Sequence, residues 1–180
     1  ENDLYFGSDR YYSSGIFLEF GRLVKTPSDS ILNFGYVSKH WVLGQEINTP
    51  ALHYTENISK MDYPYNGWLF LGFKKEFFKK PNLGYGWEIQ FGSTGAEASL
   101  AKVFQNTYHT YILNAKQLTW ASSIPQAFHL NSNLSFFWGK SFNDKIKFIT
   151  RNKIQLGSFR TSINSRYGLQ FGSLKGLPFF

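Results

Sequence analysis

Along residues 144–156, DKIKFITRNKIQL, apolar and polar side chains alternate almost without fault. Ile146, Phe148, Thr150, Ile154 and Leu156 share one face; Lys145, Lys147, Arg151, Lys153 and Gln155 share the other, with Ile149 the single lapse. Period two marks a β-strand with two unlike faces. Its thirteen positions exceed the ~5–6 residues usual in globular sheets. YGWEIQFG repeats the pattern, with Tyr85, Trp87, Ile89 and Phe91 opposed to Gly86, Glu88, Gln90 and Gly92. LNSNLSFFWG does so with Leu130, Leu134, Phe136 and Trp138, and YGLQFGS with Tyr167, Leu169 and Phe171. About eight segments read as strands. The pattern predicts an all-β, antiparallel protein.

One segment departs from period two. In EASLAKVFQNTYHTYI, residues 97–112, Leu100, Val103, Phe104, Thr107, Tyr108, Tyr111 and Ile112 recur at helical spacing. That predicts one loop helix near residues 97–113. At ~100° per residue, His109 lies about 150° from the centre of the apolar face, with Gln105 one turn before it. His109 is therefore expected outside an apolar core, either as a plain solvent-facing side chain or as part of a site. Structured insertions between strands tend to be functional.

Long strands with an aromatic-aliphatic face and a polar face match the lipid-out, lumen-in alternation of transmembrane β-barrels. A soluble sandwich or lipocalin-like barrel shares the period, but strand length and Trp68, Trp87 and Trp138 at strand ends favour the membrane. Composition sharpens this. Phe, Tyr and Trp make up 19% of the 180 residues, and aromatics repeatedly neighbour glycine, as in Gly86-Trp87 and Trp138-Gly139. There is no Cys, which excludes disulfides and thiolate metal sites. No run reaches the ~18 apolar residues of a membrane helix, and no stretch reads as a secretory signal. The net charge of +7 suits a phosphate-bearing partner, whether nucleic acid or anionic lipid.

Candidate chemistry is sparse elsewhere. His40, His53 and His129 have no metal-ligand spacing, and no Walker, dinucleotide or Gly-x-Ser-x-Gly pattern occurs. FKKEFFKK (73–80) reads as the charged end of a strand entering a head-group zone, or as paired lysines for phosphate.

Four ordered blocks carry a resemblance. ENDLYFGSDRYYSSG (1–15) resembles the N-terminal signature of the outer-membrane lipid A 3-O-deacylase family, Asn-Asp followed by a Tyr-Thr-x-Gly turn. LGQEINTP (43–50) resembles its Gly-Gln-x-x-x-Thr-Pro segment, and DYPYNGWLFLG (62–72) its Asp-Arg-Pro-Tyr-Ala-Gly-Trp-Leu block. GSTGAEASLAKVFQNTYH (92–109) is similar to its Gly-x-x-Gly…Gln-x-x-x-His helix. The resemblance implies a transmembrane β-barrel of about twelve strands in the bacterial outer membrane. Residues 1–180 are then expected to form a single barrel domain lacking some of the family's C-terminal strands or loops, although the LPFF ending resembles a barrel C-terminus.

The implied activity is calcium-dependent hydrolysis of an ester-linked acyl chain from lipid A of lipopolysaccharide. The implied partners are lipopolysaccharide and outer-membrane lipids, with no nucleic acid and no protein. Carried over by position, the catalytic His falls on His109, the Asn-Asp pair on Asn2 and Asp3, and the turn hydroxyl on Ser13. An imidazole suits deprotonation of water near neutral pH. The Asp3 carboxylate is a hard oxygen ligand for Ca²⁺, and Asn2 and Ser13 can donate to the developing oxyanion. Two features depart from the family: Tyr63 stands where its block carries Arg, and no acidic residue follows His109 in HTYILNAKQLTW. Lys60, Lys74 and Lys75 are candidate substitutes for the Arg. A non-enzymatic pore or anchor, and a phospholipase with Ser13 as nucleophile, are the alternatives.

Overall fold

The computed structural model describes residues 11–25, 36–80 and 82–172, apart from the side chains of 11–13, 24, 25, 79 and 80. Seven strands occur among them: β1 (Tyr11–Lys25), β2 (Tyr36–Thr49), β3 (Asn66–Lys80), β4 (Leu83–Thr94), β5 (Ala127–Ser141), β6 (Ile146–Gly157) and β7 (Ser162–Phe171). They form one sheet in chain order, each hydrogen-bonded to its sequence neighbours. Helix α1 (Ala101–Tyr111) stands between β4 and β5, and a single 3₁₀ turn, Ile58–Lys60, precedes β3. No described helix is long and apolar enough to cross a membrane. The expected all-β, antiparallel architecture with one loop helix is what the chain forms.

The chain divides into two compact units that cut across the strands. One is built on Val42–Leu71 and Phe91–His129 with the start of β1; the other takes Gly72–Gln90, the β1–β2 portion ending at Trp41, and the chain from Leu130 onward.

In the second unit, alternation has the inverse of the soluble meaning. Glu88, Gln90, Asn131, Asn133, Lys147 and Gln155 are buried, while Tyr85, Ile89, Leu130, Leu134, Phe136, Ile154, Leu156, Tyr167 and Leu169 are exposed. The buried polar side chains satisfy one another. Gln90 Nε2 donates to Glu88 Oε1 at 2.8 Å, and Asn133 Nδ2 to Glu88 Oε2 at 3.0 Å. Gln155 Nε2 donates to Asn133 Oδ1 at 3.3 Å, and Ser162 Oγ to Gln155 Oε1 at 2.9 Å. This ladder crosses β4, β5, β6 and β7 through side chains that the register sets opposite one another, Asn133↔Gln155↔Ser162. A second chain links His40 to Glu19 at 2.8 Å and Glu19 to Lys74 at 2.6 Å. In that second chain His40 Nε2 is buried without a hydrogen-bond partner among the described residues.

The outward face carries aromatic rows across neighbouring strands. Trp41, Phe73 and Trp87 pack in sequence at a tilt, with centroids 5.0 and 5.6 Å apart, and Phe148 meets Trp138 edge-on at 6.1 Å and stacks on Tyr167 at 6.4 Å. Such rows suit the interfacial girdle of a membrane barrel. Trp68 corrects the strand-end expectation: it is buried in the first unit, stacked on Phe70 and edge-on to His129.

Leu134 and Ile154 are register partners in mid-strand, both exposed. Leu134→Arg is expected to weaken folding into vesicles by about 2–4 kcal/mol, as for a charge near the bilayer midplane. Leu134→Ser should cost less. Urea titration of vesicle-inserted protein measures both, and equal losses would argue against a lipid-facing β5.

Candidate functional site around helix α1

Helix α1 and the contacts that hold it belong to the first unit. The loop after β4 turns at Gly95, whose φ of 94° is open to glycine and strained for other residues. Ser93 Oγ donates to the Ala98 carbonyl at 2.7 Å, and Ser99 Oγ to the Gly95 carbonyl at 2.5 Å. Leu100 then takes a left-handed φ of 58°, which costs a non-glycine residue about 1–2 kcal/mol. The helix therefore starts at Ala101, four residues later than the sequence spacing suggests. Residues 97–100 spend their backbone on the turn that aims it.

Three of the resemblance blocks meet at this start. From β2, Gln45 Nε2 donates to the Ser99 carbonyl at 2.6 Å. From β3, Gly67 lies so close that a Cβ there would overlap Ser99 Oγ and the Ala101 Cβ. Asp62 Oδ1 accepts from the N of Ala51, the residue that follows the second block, at 2.9 Å. From the middle of the helix, Asn106 brackets the Leu118 backbone, Oδ1 accepting from its N at 2.9 Å and Nδ2 donating to its carbonyl at 3.3 Å. Ile47, Tyr65, Ala96, Ala101, Leu118 and Trp120 form one apolar cluster under these contacts, with Tyr65 stacked on Trp120 at 4.6 Å.

The helix itself is turned inside out. Its buried residues are Ala101, Gln105 and His109, spaced i, i+4, i+8 on one face. Leu100, Val103, Phe104, Tyr108, Tyr111 and Ile112 are exposed. His109 does lie away from the apolar face, as the spacing predicts, and of the two alternatives left open the solvent-facing one does not hold: it is 6% exposed. The reason is tertiary. Gln45 and Gly67 fix the start of the helix and Asn106 ties its middle to Leu118, so that its polar stripe faces the protein.

Asn2 and Asp3 lie outside the described residues, and Ser13 is described only as a backbone position in β1. His109 is thus the one proposed site residue whose surroundings are defined. Lys74, a candidate substitute for the missing Arg, is held by Glu19 and, at 3.9 Å, Glu76; Lys75 lies over the Phe77 ring. Tyr63 is exposed. His129 contacts Thr94 Oγ1 through Nε2 at 3.1 Å, and His53 packs at a tilt against the Tyr54 ring, in keeping with ordinary structural roles. Sequence reading quoted the blocks holding Gln45 and Gly67 without assigning either a role. Contact with a helix that begins more than thirty residues later leaves no local signal.

Buried polar groups on a sheet's inner face, apolar groups outside and a loop helix with an outward apolar face define an outer-membrane β-barrel protein that presents a polar site beside an apolar surface. The chain belongs to the outer membrane protein LpxR family, whose model matches residues 1–177, and is an outer-membrane protein. A search of curated proteins found no match. The solved structure of LpxR from Salmonella typhimurium is similar, with a TM-score of 0.63 and 14% identity over 89% of this chain and 52% of that one. That likeness shows the barrel fold, and the chain spans about half the length of that protein.

Proposed function

We propose that this protein hydrolyses an ester-linked acyl chain of lipid A, with His109 activating the attacking water. The observation that carries the reading is the inverted helix. It holds an imidazole and an amide, His109 and Gln105, on its protected face, while Val103, Phe104, Tyr108 and Ile112 offer the outward face to acyl chains. An ester at an acyl-chain boundary needs both surfaces at once.

In this mechanism the imidazole takes a proton from water as the oxygen attacks the ester carbonyl. The tetrahedral oxyanion accepts hydrogen bonds from the Asn2 amide and the Ser13 hydroxyl. Its collapse breaks the acyl C–O bond, and the imidazolium returns the proton to the departing sugar oxygen. Calcium prefers oxygen donors. The buried Oδ1 of Asn66 and Oε1 of Gln105 have no hydrogen-bond partner among the described residues, so oxygen donors of the fitting kind exist on this side of the protein. Asp3 would supply the carboxylate. When bound, the ion would act as a Lewis acid toward the carbonyl.

Mass spectrometry of lipid A from cells with and without the protein tests the activity. The expected result is loss of one acyl chain, suppressed by a chelator. Unchanged lipid A would favour a non-enzymatic barrel, and labelling of Ser13 by a covalent serine probe would favour the phospholipase mechanism.

A further inference from the structure

Within the second unit, β6 and β7 enclose a cleft of about 530 Å³ lined by Arg151, Lys153, Gln155, Arg160, Ser162, Asn164 and Arg166. Four of these side chains are cationic, none is acidic, and the other three are amides or a hydroxyl. The register sets Arg151 directly opposite Arg166. Like charges so placed destabilise a sheet, so the arrangement calls for an anion between or above them.

The acids nearby supply it only in part, through two long ion pairs. Glu76 Oε1 stands 3.9 Å from Arg151, and Glu88 Oε2 stands 3.8 Å from Lys153 while accepting from Asn133, with Glu88 Oε1 taken by Gln90. Arg166 is exposed and has no acidic partner among the described residues. The floor, by contrast, is fixed. Gln155 is buried and its Oε1 accepts from Ser162 Oγ and Asn164 Nδ2, while Asn164 Nδ2 also donates to Ser162 Oγ at 3.0 Å. Arg151 and Arg160 lie over the rings of Phe137 and Phe159 at 4.9 and 5.4 Å, which orients their guanidinium planes.

We propose that this cleft binds a phosphorylated saccharide, the arginines holding the phosphate and Ser162 and Asn164 meeting sugar hydroxyls. Guanidinium pairs suit phosphate oxygens geometrically as well as by charge. The volume falls in the small-molecule range and exceeds what a bare phosphate needs. The site is separate in sequence from α1 and does not rest on the hydrolase reading. Its ligand can come from the head group of a glycolipid or from a free sugar phosphate, since the recognised chemistry is the same.

Calorimetric titration of the purified protein in neutral detergent tests it, with three probes: glucose 6-phosphate, bisphosphorylated lipid A in mixed micelles, and lipid A stripped of phosphate. Arg166→Gln is the principal variant because it leaves the Glu76 contact of Arg151 intact. Asn164→Asp, which adds an acid to the cleft, is the second. Lys140→Gln, on the outward face of β5, controls for net charge. Binding of a phosphorylated probe is expected to weaken about tenfold in Arg166→Gln and Asn164→Asp, and to fall with added salt. Lys140→Gln should bind as the parent does. A response to glucose 6-phosphate assigns the site to soluble sugar phosphates, and a response confined to bisphosphorylated lipid A assigns it to the lipid head group. Affinities unchanged by both cleft variants, absence of binding to either phosphorylated probe, or equal affinity for dephosphorylated lipid A would overturn the proposal. Heat-modifiable gel mobility verifies that each variant is folded.

Discussion

His109→Ala is expected to abolish release of acyl chains from lipid A while the protein keeps its heat-modifiable mobility. Loss of a positioned general base typically removes about 10²–10⁴ of the rate. Here the loss should approach background, because no other histidine lies in α1 to take over. The buried position adds a structural consequence: Ala leaves a space beside Gln105 and removes a polar group from an enclosed face. His109→Gln separates the two effects, since it restores bulk and hydrogen bonding without an imidazole's basicity. If the Gln variant is as stable as the parent and as inactive as the Ala variant, the imidazole is needed for chemistry. Should His109→Gln retain parental kcat, water activation by this residue is excluded.

The second large effect is expected at Gly67. A methyl group there would overlap Ser99 Oγ and the Ala101 Cβ. Neither neighbour is free to move, because Gln45 holds the Ser99 carbonyl at 2.6 Å and Ala101 is packed in the apolar cluster with Tyr65 and Trp120. Gly67→Val must therefore push the start of α1 off β3. Overpacking of this kind costs about 1–3 kcal/mol, less than the whole stability of a domain. The rate should suffer more: a shift of about 1 Å in a catalytic group can cost ~10²-fold. Kinetics on lipid A should show a fall in kcat, with strand content by circular dichroism close to parental. Gly168→Ala is the matched control, since its Cβ would meet only Ile149 side-chain atoms at 3.5 Å and beyond. Parental kcat in Gly67→Val would mean that the helix does not depend on this close approach.

These two positions differ in how they can be read. His109 was legible because helical periodicity singles out a residue opposite an apolar stripe, and the Gln-x-x-x-His spacing matches a family pattern. Gly67 is one glycine among 16, and its role exists only through atoms of Ser99 and Ala101. Gln45 is similar. In β2 it reads as an ordinary polar position, and its value lies in a carbonyl 54 residues away. The cationic cleft was partly visible: Arg151 and Lys153 alternate on one face of a strand. That Arg166 stands opposite Arg151 required the β6–β7 register.

By itself the sequence determined the strands and their two unlike faces, because period two is a local property of an extended backbone. It also determined that a helix interrupts them and which side of that helix is polar. Tertiary structure decided which faces are buried. In the strands of the second unit polar side chains pair across neighbours and are enclosed, with most apolar ones outward, and in α1 contacts from β2, β3 and Leu118 turn His109 and Gln105 inward. Local periodicity records that two faces differ, whereas burial depends on what the rest of the chain brings against each of them.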